Sequence, residues 1–302
     1  MAVTLYHRND RCRRGCHLVA MILAVASIAT LAPSARAGWV TLPNAPIAPA
    51  GYGRHDDMFF VSADSGWIVN GAGEIHRTTD GGQSWTLQTT VSNYLRSVGF
   101  ATPLKGWAGA LFGTPLLYAT VDAGLHWTPV TNIPDPQPTG ICGLSVVNAS
   151  VVYGVGRYDG PPATLIKTTD GGATWTSRDM APYATALIDV HFFDANNGLA
   201  VGGTGPFSLR HAVILSTSDG GATWQTRYSS NRPGAEWCWK ISFPNRFTGF
   251  VTIEREDHMA PSYILFTTDG GVTWGEIPFV SGYDIQGIGF VSGLTGWVGG
   301  WS

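Results

Sequence analysis

Aromatic residues recur along the chain in pairs whose members lie seven positions apart. The second member usually follows a glycine, and an apolar residue stands two positions before the first member. This alternation is typical of half-buried β-strands, so each pair predicts a strand that ends at the first aromatic and another that begins at the second. The pairs are Phe60/Trp67, Phe100/Trp107, the weaker Val146/Tyr153, Phe192/Leu199, Phe243/Phe250 and Phe290/Trp297.

A nine-residue phrase interleaves with these pairs five times. Each copy holds an Asp, a Gly two positions later and a Trp five positions later, and an apolar residue precedes the Asp by five. Successive copies lie 42 to 50 residues apart, a spacing that favours a unit of four short strands. The copies contain Asp80, Gly82 and Trp85; Asp122, Gly124 and Trp127; Asp170, Gly172 and Trp175; Asp219, Gly221 and Trp224; and Asp269, Gly271 and Trp274.

The two phrases together predict a unit of strands A, B, C and D, with the Asp phrase turning the chain from C to D. Four-stranded antiparallel units repeated radially form a β-propeller, so we expect an all-β propeller of six blades, with seven as the alternative. No window after residue 37 has the 3.6-residue period of a helix. The sixth unit lacks strand C, so it is either a three-stranded blade or shortened. We expect residues 38–41 to complete it as a closing strand.

The Asp phrase has a simple physical interpretation as a turn. We expect the carboxylate to accept backbone N–H groups two or three residues on, the Gly to supply a positive φ, and the Trp to cover the turn. Five aspartates resemble an acidic metal cluster, but a propeller spreads them around its outer rim, so we predict structural roles and no metal. The second copy has His126 where the others have Ser or Thr, and we expect its turn to be the weakest.

Residues 1–37 have the pattern of a secretion signal that ends in an A-x-A cleavage site at Ala37. The apolar run of residues 18–31 is shorter than the roughly 20 residues that span a bilayer, which favours cleavage over a membrane anchor. We therefore expect one exported domain over residues 38–302, periplasmic or extracellular. The basic start of the signal consists of Arg8, Arg11, Arg13 and Arg14. Its last pair suggests a twin-arginine route, but Gly15 and Cys16 after it match that route poorly.

Composition narrows the function classes. The chain is 44 % hydrophobic and 13 % charged with 12 Trp, which favours a large core over disorder. Residues 38–302 hold 13 basic and 20 acidic side chains, so their net negative charge argues against nucleic-acid binding. Cys142 and Cys238 fall in different units, and we expect no disulfide between them. No P-loop, G-x-S-x-G or H-E-x-x-H motif occurs, and we expect no cofactor.

The five Asp phrases resemble BNR or Asp-box repeats. Together with the aromatic pairs, they make residues 54–302 similar to the photosystem II stability/assembly factor family of β-propellers. The resemblance implies an exported, non-enzymatic factor that binds a membrane-protein assembly intermediate through an arginine-rich patch on one face. We accordingly expect a protein partner, a membrane or envelope complex, and a monomeric module.

Asp-box repeats also occur in sialidases and xyloglucan hydrolases, so glycan binding or glycoside hydrolysis is the alternative. The R-I-P phrase of a sialidase is absent. Hydrolysis needs two facing carboxylates, and acidic residues near the starts of the A strands are placed to line a channel mouth. Because no complete catalytic set is found, we expect no enzyme. These acidic residues are Asp56, Asp57, Asp189, Glu236 and Asp284.

Propellers usually bind partners through the loops that lead into strand A and that join B to C. In this chain those loops mix aromatic residues with both charge signs, as a protein or glycan interface does. The segment from Glu254 to His258 also fits a solvated loop tip, and Trp237 and Trp239 also fit core packing between blades. The predicted partner-binding residues are Arg96, Arg157, Arg210, Trp239, Lys240, Glu254 and Arg255.

Overall fold

The structure, a computed structural model, describes residues 42–51, 54–157, 159–257, 259–279, 281 and 284–301. The predicted secretion signal, the predicted closing strand over residues 38–41 and His258 lie outside these residues. Within the described part of the chain the secondary structure is all β apart from one 3₁₀ turn, Phe207–Leu209. No helix there is long and apolar enough to cross a bilayer.

Five four-stranded antiparallel sheets and one two-stranded sheet follow one another along the described chain. We number them as blades 1 to 6. Blade 1 contains β1 (His55–Phe60), β2 (Gly66–Asn70), β3 (Glu74–Thr78) and β4 (Thr86–Thr90). Blade 2 contains β5 (Leu95–Phe100), β6 (Gly106–Ala110), β7 (Leu117–Thr120) and β8 (Thr128–Pro129). Blade 3 contains β9 (Gly143–Val146), β10 (Val152–Gly156), β11 (Thr164–Thr168) and β12 (Thr176–Asp179).

The remaining sheets repeat this order of strands. Blade 4 contains β13 (Ala186–Phe192), β14 (Gly198–Thr204), β15 (His211–Thr217) and β16 (Gln225–Ser229). Blade 5 contains β17 (Glu236–Ser242), β18 (Gly249–Arg255), β19 (Tyr263–Thr267) and β20 (Gly275–Pro278). Blade 6 contains β21 (Asp284–Ser292) and β22 (Thr295–Trp301).

The first strand of each blade contacts the first strand of the next, from β1 through β5, β9, β13 and β17 to β21. Sheets arranged in this way around a shared set of inner strands form a β-propeller. The prediction of a six-bladed all-β propeller is therefore confirmed. Strand A ends within two residues of the first member of each pair, and strand B begins within two residues of the second, as the pattern predicts. That residues 38–41 close blade 6 stays a prediction.

The aromatic pairs hold neighbouring blades together. The second aromatic of one blade stacks face to face on the first aromatic of the next blade, because strand B directs it towards the following sheet. The observed stacks are Trp67 on Phe100 at 3.5 Å, Tyr153 on Phe192 at 3.5 Å and Phe250 on Phe290 at 3.6 Å between ring centroids. Stacked and edge-on aromatic pairs each add about 0.5 to 1.5 kcal/mol to the area they bury.

The Asp turns are built from one repeated set of hydrogen bonds. In blade 1, Thr78 Oγ1 donates to Asp80 Oδ1 at 2.8 Å, and the Ser84 backbone N–H donates to the same oxygen at 2.9 Å. This backbone donor lies four residues after the Asp, and in blade 5 the Val272 N–H, three residues after Asp269, also donates to its Oδ1 at 3.0 Å, as expected. The Trp85 indole N–H donates to the Gly82 carbonyl at 3.1 Å and covers the turn.

The second Asp turn differs in two places. His126 Nδ1 lies 2.6 Å from Asp122 Oδ2, so the imidazole replaces the hydroxyl of the other copies. Ala123 has φ 66° where the other turns have Gly, and it is the only non-glycine residue of the described chain with a positive φ. The strain in this turn therefore lies at Ala123 rather than at His126. That this turn is the weakest stays a prediction.

Apolar clusters fill the spaces between blades. One joins Trp67 and Val69 of blade 1 to Leu95 and Phe100 of blade 2, all of them buried. Cys238 is buried with a free thiol, so it is not joined to Cys142 and the expected absence of that disulfide is confirmed.

Candidate functional site

The inner strands carry β-bulges close to their first residues. In β1, β5, β13, β17 and β21 the register shifts, so that at least one residue has no partner on the next strand. A bulge re-aims the side chain of its extra residue. Here the bulges direct side chains from different blades towards the centre of the ring, which we call the channel. The extra residues are Asp56, Arg96, Ile188, Trp239, Lys240 and Gln286.

Lys240 lies between two carboxylates of other blades. Its Nζ is 3.1 Å from Asp57 Oδ1 in blade 1 and 3.7 Å from Asp189 Oδ2 in blade 4. Asp57 also accepts the Val98 N–H at 2.9 Å, and Asp189 accepts the Ile241 N–H at 3.1 Å. Burial by itself lowers the pKa of Lys240, but the two carboxylates outweigh it and the pKa is raised. This cluster ties four blades together.

Arg96 forms a second connection across the channel. Its Nη1 donates to the Asp56 backbone carbonyl at 3.1 Å, and its guanidinium carbon lies 5.2 Å from the centre of the Trp239 ring. Arg54 Nε donates to Asp56 Oδ1 at 3.0 Å. The side chains of Arg96 and Asp56 are both buried, and Arg96 Nε lies 3.9 Å from Asp56 Oδ1, so the two charges are paired inside the protein.

Glu254 and Gln286 connect blades 5 and 6 to blade 1. Gln286 Nε2 donates to Glu254 Oε2 at 2.8 Å, and Arg54 Nη1 donates to Gln286 Oε1. Burial raises the pKa of Glu254 to about 8, with nearby Asp284 adding to the rise and Gln286, Arg54 and Arg96 opposing it. The Glu254 carboxyl is therefore protonated at neutral pH.

Glu236, at the start of β17, is held by two arginines. Arg232 donates from Nε at 3.0 Å and from Nη2 at 2.9 Å, so the pair is bidentate. Arg255 Nε lies 3.4 Å from Glu236 Oε2. The Glu236 carboxylate is completely buried, and its charge is balanced from two sides.

The loops that join B to C and D to A lie on one face of the ring, since antiparallel strands alternate in direction. We call this the top face. On it the Arg157 guanidinium lies 5.5 Å from the centre of the Phe112 ring and donates from Nη2 to Asp159 Oδ2 at 2.6 Å. Arg210 lies 4.9 Å from the Phe207 ring. These residues and Leu209 form the top-face patch, in which Phe112 is 41 %, Phe207 47 % and Leu209 63 % exposed.

The structure separates the predicted partner-binding residues. Arg96, Trp239, Lys240 and Glu254 belong to the channel network, whereas Arg210 and Arg255 are buried beneath the loops. Only Arg157 combines a place in the top-face patch with a partly exposed side chain. That these seven residues bind a partner stays a prediction.

The interpretation of residues 254–258 as a solvated loop tip is wrong for its first two residues. Glu254 and Arg255 end strand β18, and both side chains are buried. Trp237 and Trp239 pack in a buried cluster with Ile188, as expected of core packing. The B to C loop over residues 207–211, which holds Phe207 and Leu209, was among the predicted binding loops, but Phe112 was missed. The only signal for Phe112 is a large apolar residue in a B to C loop, outside both repeated phrases.

The acidic residues at the strand starts do not form an open catalytic pair in the described structure. Asp56 contacts Arg54, Asp57 and Asp189 contact Lys240, and Glu236 contacts Arg232. Asp284 is buried near Glu254. Over the described residues, no group of three or more His, Cys, Asp or Glu side chains is arranged to hold a metal ion.

Comparison with known proteins supports the β-propeller fold and does not assign the chain to a family. No protein-family model and no curated protein sequence matches the chain. Among solved structures, the chain is similar to YCF48 bound to D1 peptide, with 16 % identity over 87 % of this chain and 91 % of that one and a TM-score of 0.50. YCF48 from Cyanidioschyzon merolae is also similar, with 16 % identity, 84 % and 95 % coverage and a TM-score of 0.53.

The chain also resembles glycoside hydrolases of the GH74 type. The Niastella koreensis GH74 enzyme matches with 16 % identity over 82 % of this chain and a TM-score of 0.60. This chain spans 45 % of that enzyme and 34 % of an ancestral GH74 enzyme, so it corresponds to less than half of either. At these identities the similarity shows the β-propeller fold alone.

Proposed function

We propose that this chain is an exported, non-catalytic propeller that binds a protein partner and helps to assemble or stabilise a membrane or envelope protein complex. One observation carries the proposal. The channel carboxylates are engaged within the protein, while the top-face patch exposes Phe112, Phe207 and Leu209 beside Arg157. The Asp-box phrases and the resemblance to photosystem II stability/assembly factors support this role, and residues 1–37 support export.

The chemistry of the top-face patch favours a protein over a nucleic acid. Aromatic and arginine side chains dominate binding energy at protein interfaces. Asp159 neutralises Arg157. Burial lowers the pKa of Arg210, and the nearby Asp159 only partly opposes this effect. The patch is therefore mainly apolar, with two arginines and one aspartate among its residues. A likeness to YCF48 bound to D1 peptide supports a peptide segment of a partner protein as the partner class.

Affinity capture tests this proposal. Residues 38–302 would be used as bait on the detergent-solubilised envelope of the source cell, with the double variant Phe207→Asp/Leu209→Asp as the negative control. Charge reversal of Arg210 or Arg255 is unsuitable because both are buried. The matched control is Leu104→Asp/Phe247→Asp, since both residues are exposed on the opposite face.

We expect a membrane-protein complex that is lost with the top-face variant and retained with the matched control. Circular dichroism would establish that both variants fold. Equal capture by all three baits, or no capture by the wild type, would overturn the proposal.

Glycoside hydrolysis is the second candidate. The specific observation in its favour is Glu254, whose pKa of about 8 would keep it protonated as a general acid requires, with the buried Asp284 nearby. Reducing-sugar release from xyloglucan and other β-glucans would test it, with Glu254→Gln as the matched variant. Hydrolysis that disappears in Glu254→Gln would establish an enzyme and end the non-catalytic proposal.

A further inference from the structure

The residue just before the first member of an aromatic pair contacts the next blade. In blade 3 this residue is Ser145, whose hydroxyl accepts the Phe192 N–H of blade 4 at 2.9 Å. In blade 5 it is Ser242, whose hydroxyl accepts the Phe290 N–H of blade 6 at 3.0 Å. Blade 4 has His191 at this position, so an ionisable ring lies where the other five blades have a neutral residue.

His191 packs against the first aromatic residue of blade 5. Its ring stacks on Phe243, with centroids 5.1 Å apart and ring planes at 16°. Phe193 lies edge-on to both rings, with its centroid 4.8 Å from each of theirs. Leu199 is buried in the same junction and belongs to one apolar cluster with Phe243. The imidazole is therefore part of the packing that joins blade 4 to blade 5.

The imidazole of His191 has no polar partner in this junction. Over the residues that the structure describes, neither ring nitrogen takes part in a hydrogen bond or an ion pair. Burial lowers the pKa of His191 to about 4, and it is the only cause of the shift. The neutral ring suits an aromatic cluster, whereas an imidazolium there loses water and gains no carboxylate in exchange.

The charged groups around His191 do not favour its protonated form. Arg246, in the A to B turn of blade 5, lines a hollow of about 320 Å³ together with His191, and its guanidinium lies 5.0 Å from the centre of the Phe193 ring. The second histidine of blade 4, His211, lies at the opposite end of β15. The other charged side chains of the adjoining elements are bonded elsewhere: Asp194 to Arg246, Asp189 to Lys240, Asp269 to Thr267 and Thr273, and Arg227 to Ser216.

We propose that the junction between blades 4 and 5 is an acid-sensitive seam, which opens when His191 takes up a proton and thereby exposes Phe193 and Phe243. The proton places a positive charge beside Arg246, in a hollow that holds no carboxylate of the described chain. Attraction between the cation and the face of Phe243 opposes this effect, but the lowered pKa shows that the loss of hydration is larger. This inference does not depend on the proposed top-face function, because the A to B turns lie on the opposite face.

The pH window of the seam follows from the two states of His191. Its pKa is about 4 in the closed junction and about 6.5 when the ring is in water, so the open state binds the proton more tightly. The junction is therefore fully stable above about pH 6.5 and loses stability as the pH falls towards 4. Between about pH 7.5 and about pH 5, the equilibrium constant for opening should rise about twentyfold to thirtyfold.

Hydrogen exchange of residues 38–302, followed by mass spectrometry, tests the proposal at these two pH values after correction for the intrinsic effect of pH on exchange. We expect the protection of residues 187–193 and 241–247 to fall by the same factor in the wild type. The junction of blades 1 and 2, where Trp67 stacks on Phe100, is the internal control, and its protection should not follow this change.

Other blades of the chain supply the matched variants. His191→Phe introduces the residue that blade 1 has at this position, Phe59, and His191→Ser introduces the residue of blades 3 and 5. We expect both variants to keep the protection of the junction unchanged between the two pH values. Because NMR titration of the histidine C–H signals needs no variant, it tests the wild type directly, and we expect a pKa for His191 well below about 6.5. A pKa at or above that value in the folded protein, or an equal loss of protection in the wild type and in the folded variants, would overturn the proposal.

Discussion

Trp67 of blade 1 lies face to face with Phe100 of blade 2, with ring centroids 3.5 Å apart and ring planes at 10°. The same indole donates its N–H to the Ala123 carbonyl in the Asp turn of blade 2 at 3.1 Å. One side chain thus contacts both the inner strand and the turn of the next blade. Since the aromatic pairs recur through the chain, this relationship explains how neighbouring blades are joined.

Replacement of Trp67 by Ala should be strongly destabilising. The side chain is completely buried, so its loss removes the stack, the hydrogen bond and a large apolar volume. We expect the free energy of unfolding to fall by about 3 to 5 kcal/mol in urea denaturation. Leu87→Ala, at an exposed position of β4, is the control and should change it by less than about 0.5 kcal/mol. Equal losses in the two variants would contradict the packing role of Trp67.

Ala123→Gly should stabilise the protein. Ala123 has a φ of 66°, a conformation that costs an L-residue about 1 to 2 kcal/mol, and glycine adopts it freely at some cost in unfolded-state entropy. We expect a net gain of about 0.5 to 1 kcal/mol by thermal unfolding. Gly81→Ala, at the same turn position with φ 72°, should have the opposite sign. A stabilising Gly81→Ala variant would refute this explanation.

Lys240→Met should destabilise the propeller more than a substitution that removes a surface ion pair does. It leaves Asp57 and Asp189 without their shared cation in a mostly buried channel. We expect a loss of about 3 to 5 kcal/mol in urea denaturation. Arg246→Ala breaks an exposed pair with Asp194 and should cost less than about 1 kcal/mol. Similar effects of the two substitutions would show that the channel pair contributes little.

The Asp turns should make the fold sensitive to strong acid. Hydrogen bonds from the Ser84 side chain and backbone, and from Thr78, lower the pKa of Asp80 to about 2, and the other four turns behave alike. A lowered folded-state pKa stabilises the protein above about pH 4, and this contribution is lost as the pH falls towards 2. Melting temperatures across this range should fall less steeply in Asp80→Asn. An unchanged slope in that variant would contradict the assignment.

Glu254 should make the folded protein less stable as the pH rises, the opposite of the effect of the Asp turns. Its pKa of about 8 lies above that of an unfolded Glu, so stability should fall as the pH rises from about 4 to 8. Glu254→Gln removes the ionisable group, and we expect its melting temperature to exceed that of the wild type at pH 8 but not at pH 4. Glu256→Gln, at the exposed neighbouring glutamate, should show no such difference. If it did, burial of Glu254 would not be the cause.

Much of the fold could be predicted because its determinants are local and repeated. The Asp phrase specifies a turn through bonds that span only four residues, from Asp80 to Ser84. The aromatic pairs mark where strands end and begin, because apolar and polar side chains alternate along each strand next to them. The backbone donor four residues after the Asp, at Ser84, was not predicted. Its position depends on the path of the turn, in which two successive glycines have positive φ.

The candidate site could be predicted only in part. The sequence marks Arg96, Lys240 and Glu254 as candidate binding residues, but it does not show that their side chains are buried. Side chains alternate between the two faces of a strand, so the position of a residue in a strand predicts its face. A β-bulge interrupts this alternation at Arg96 and Lys240. The partners of Lys240 also lie 51 and 183 residues away in sequence, beyond any local pattern.

The sequence by itself determined the blade, its four strands, its Asp turn and the number of repeats, since each depends on contacts between neighbouring residues. Only the tertiary structure decided which charges lie in the channel and which face presents apolar side chains. Closing a ring of blades brings residues from distant repeats together, and no spacing within one repeat encodes those distances.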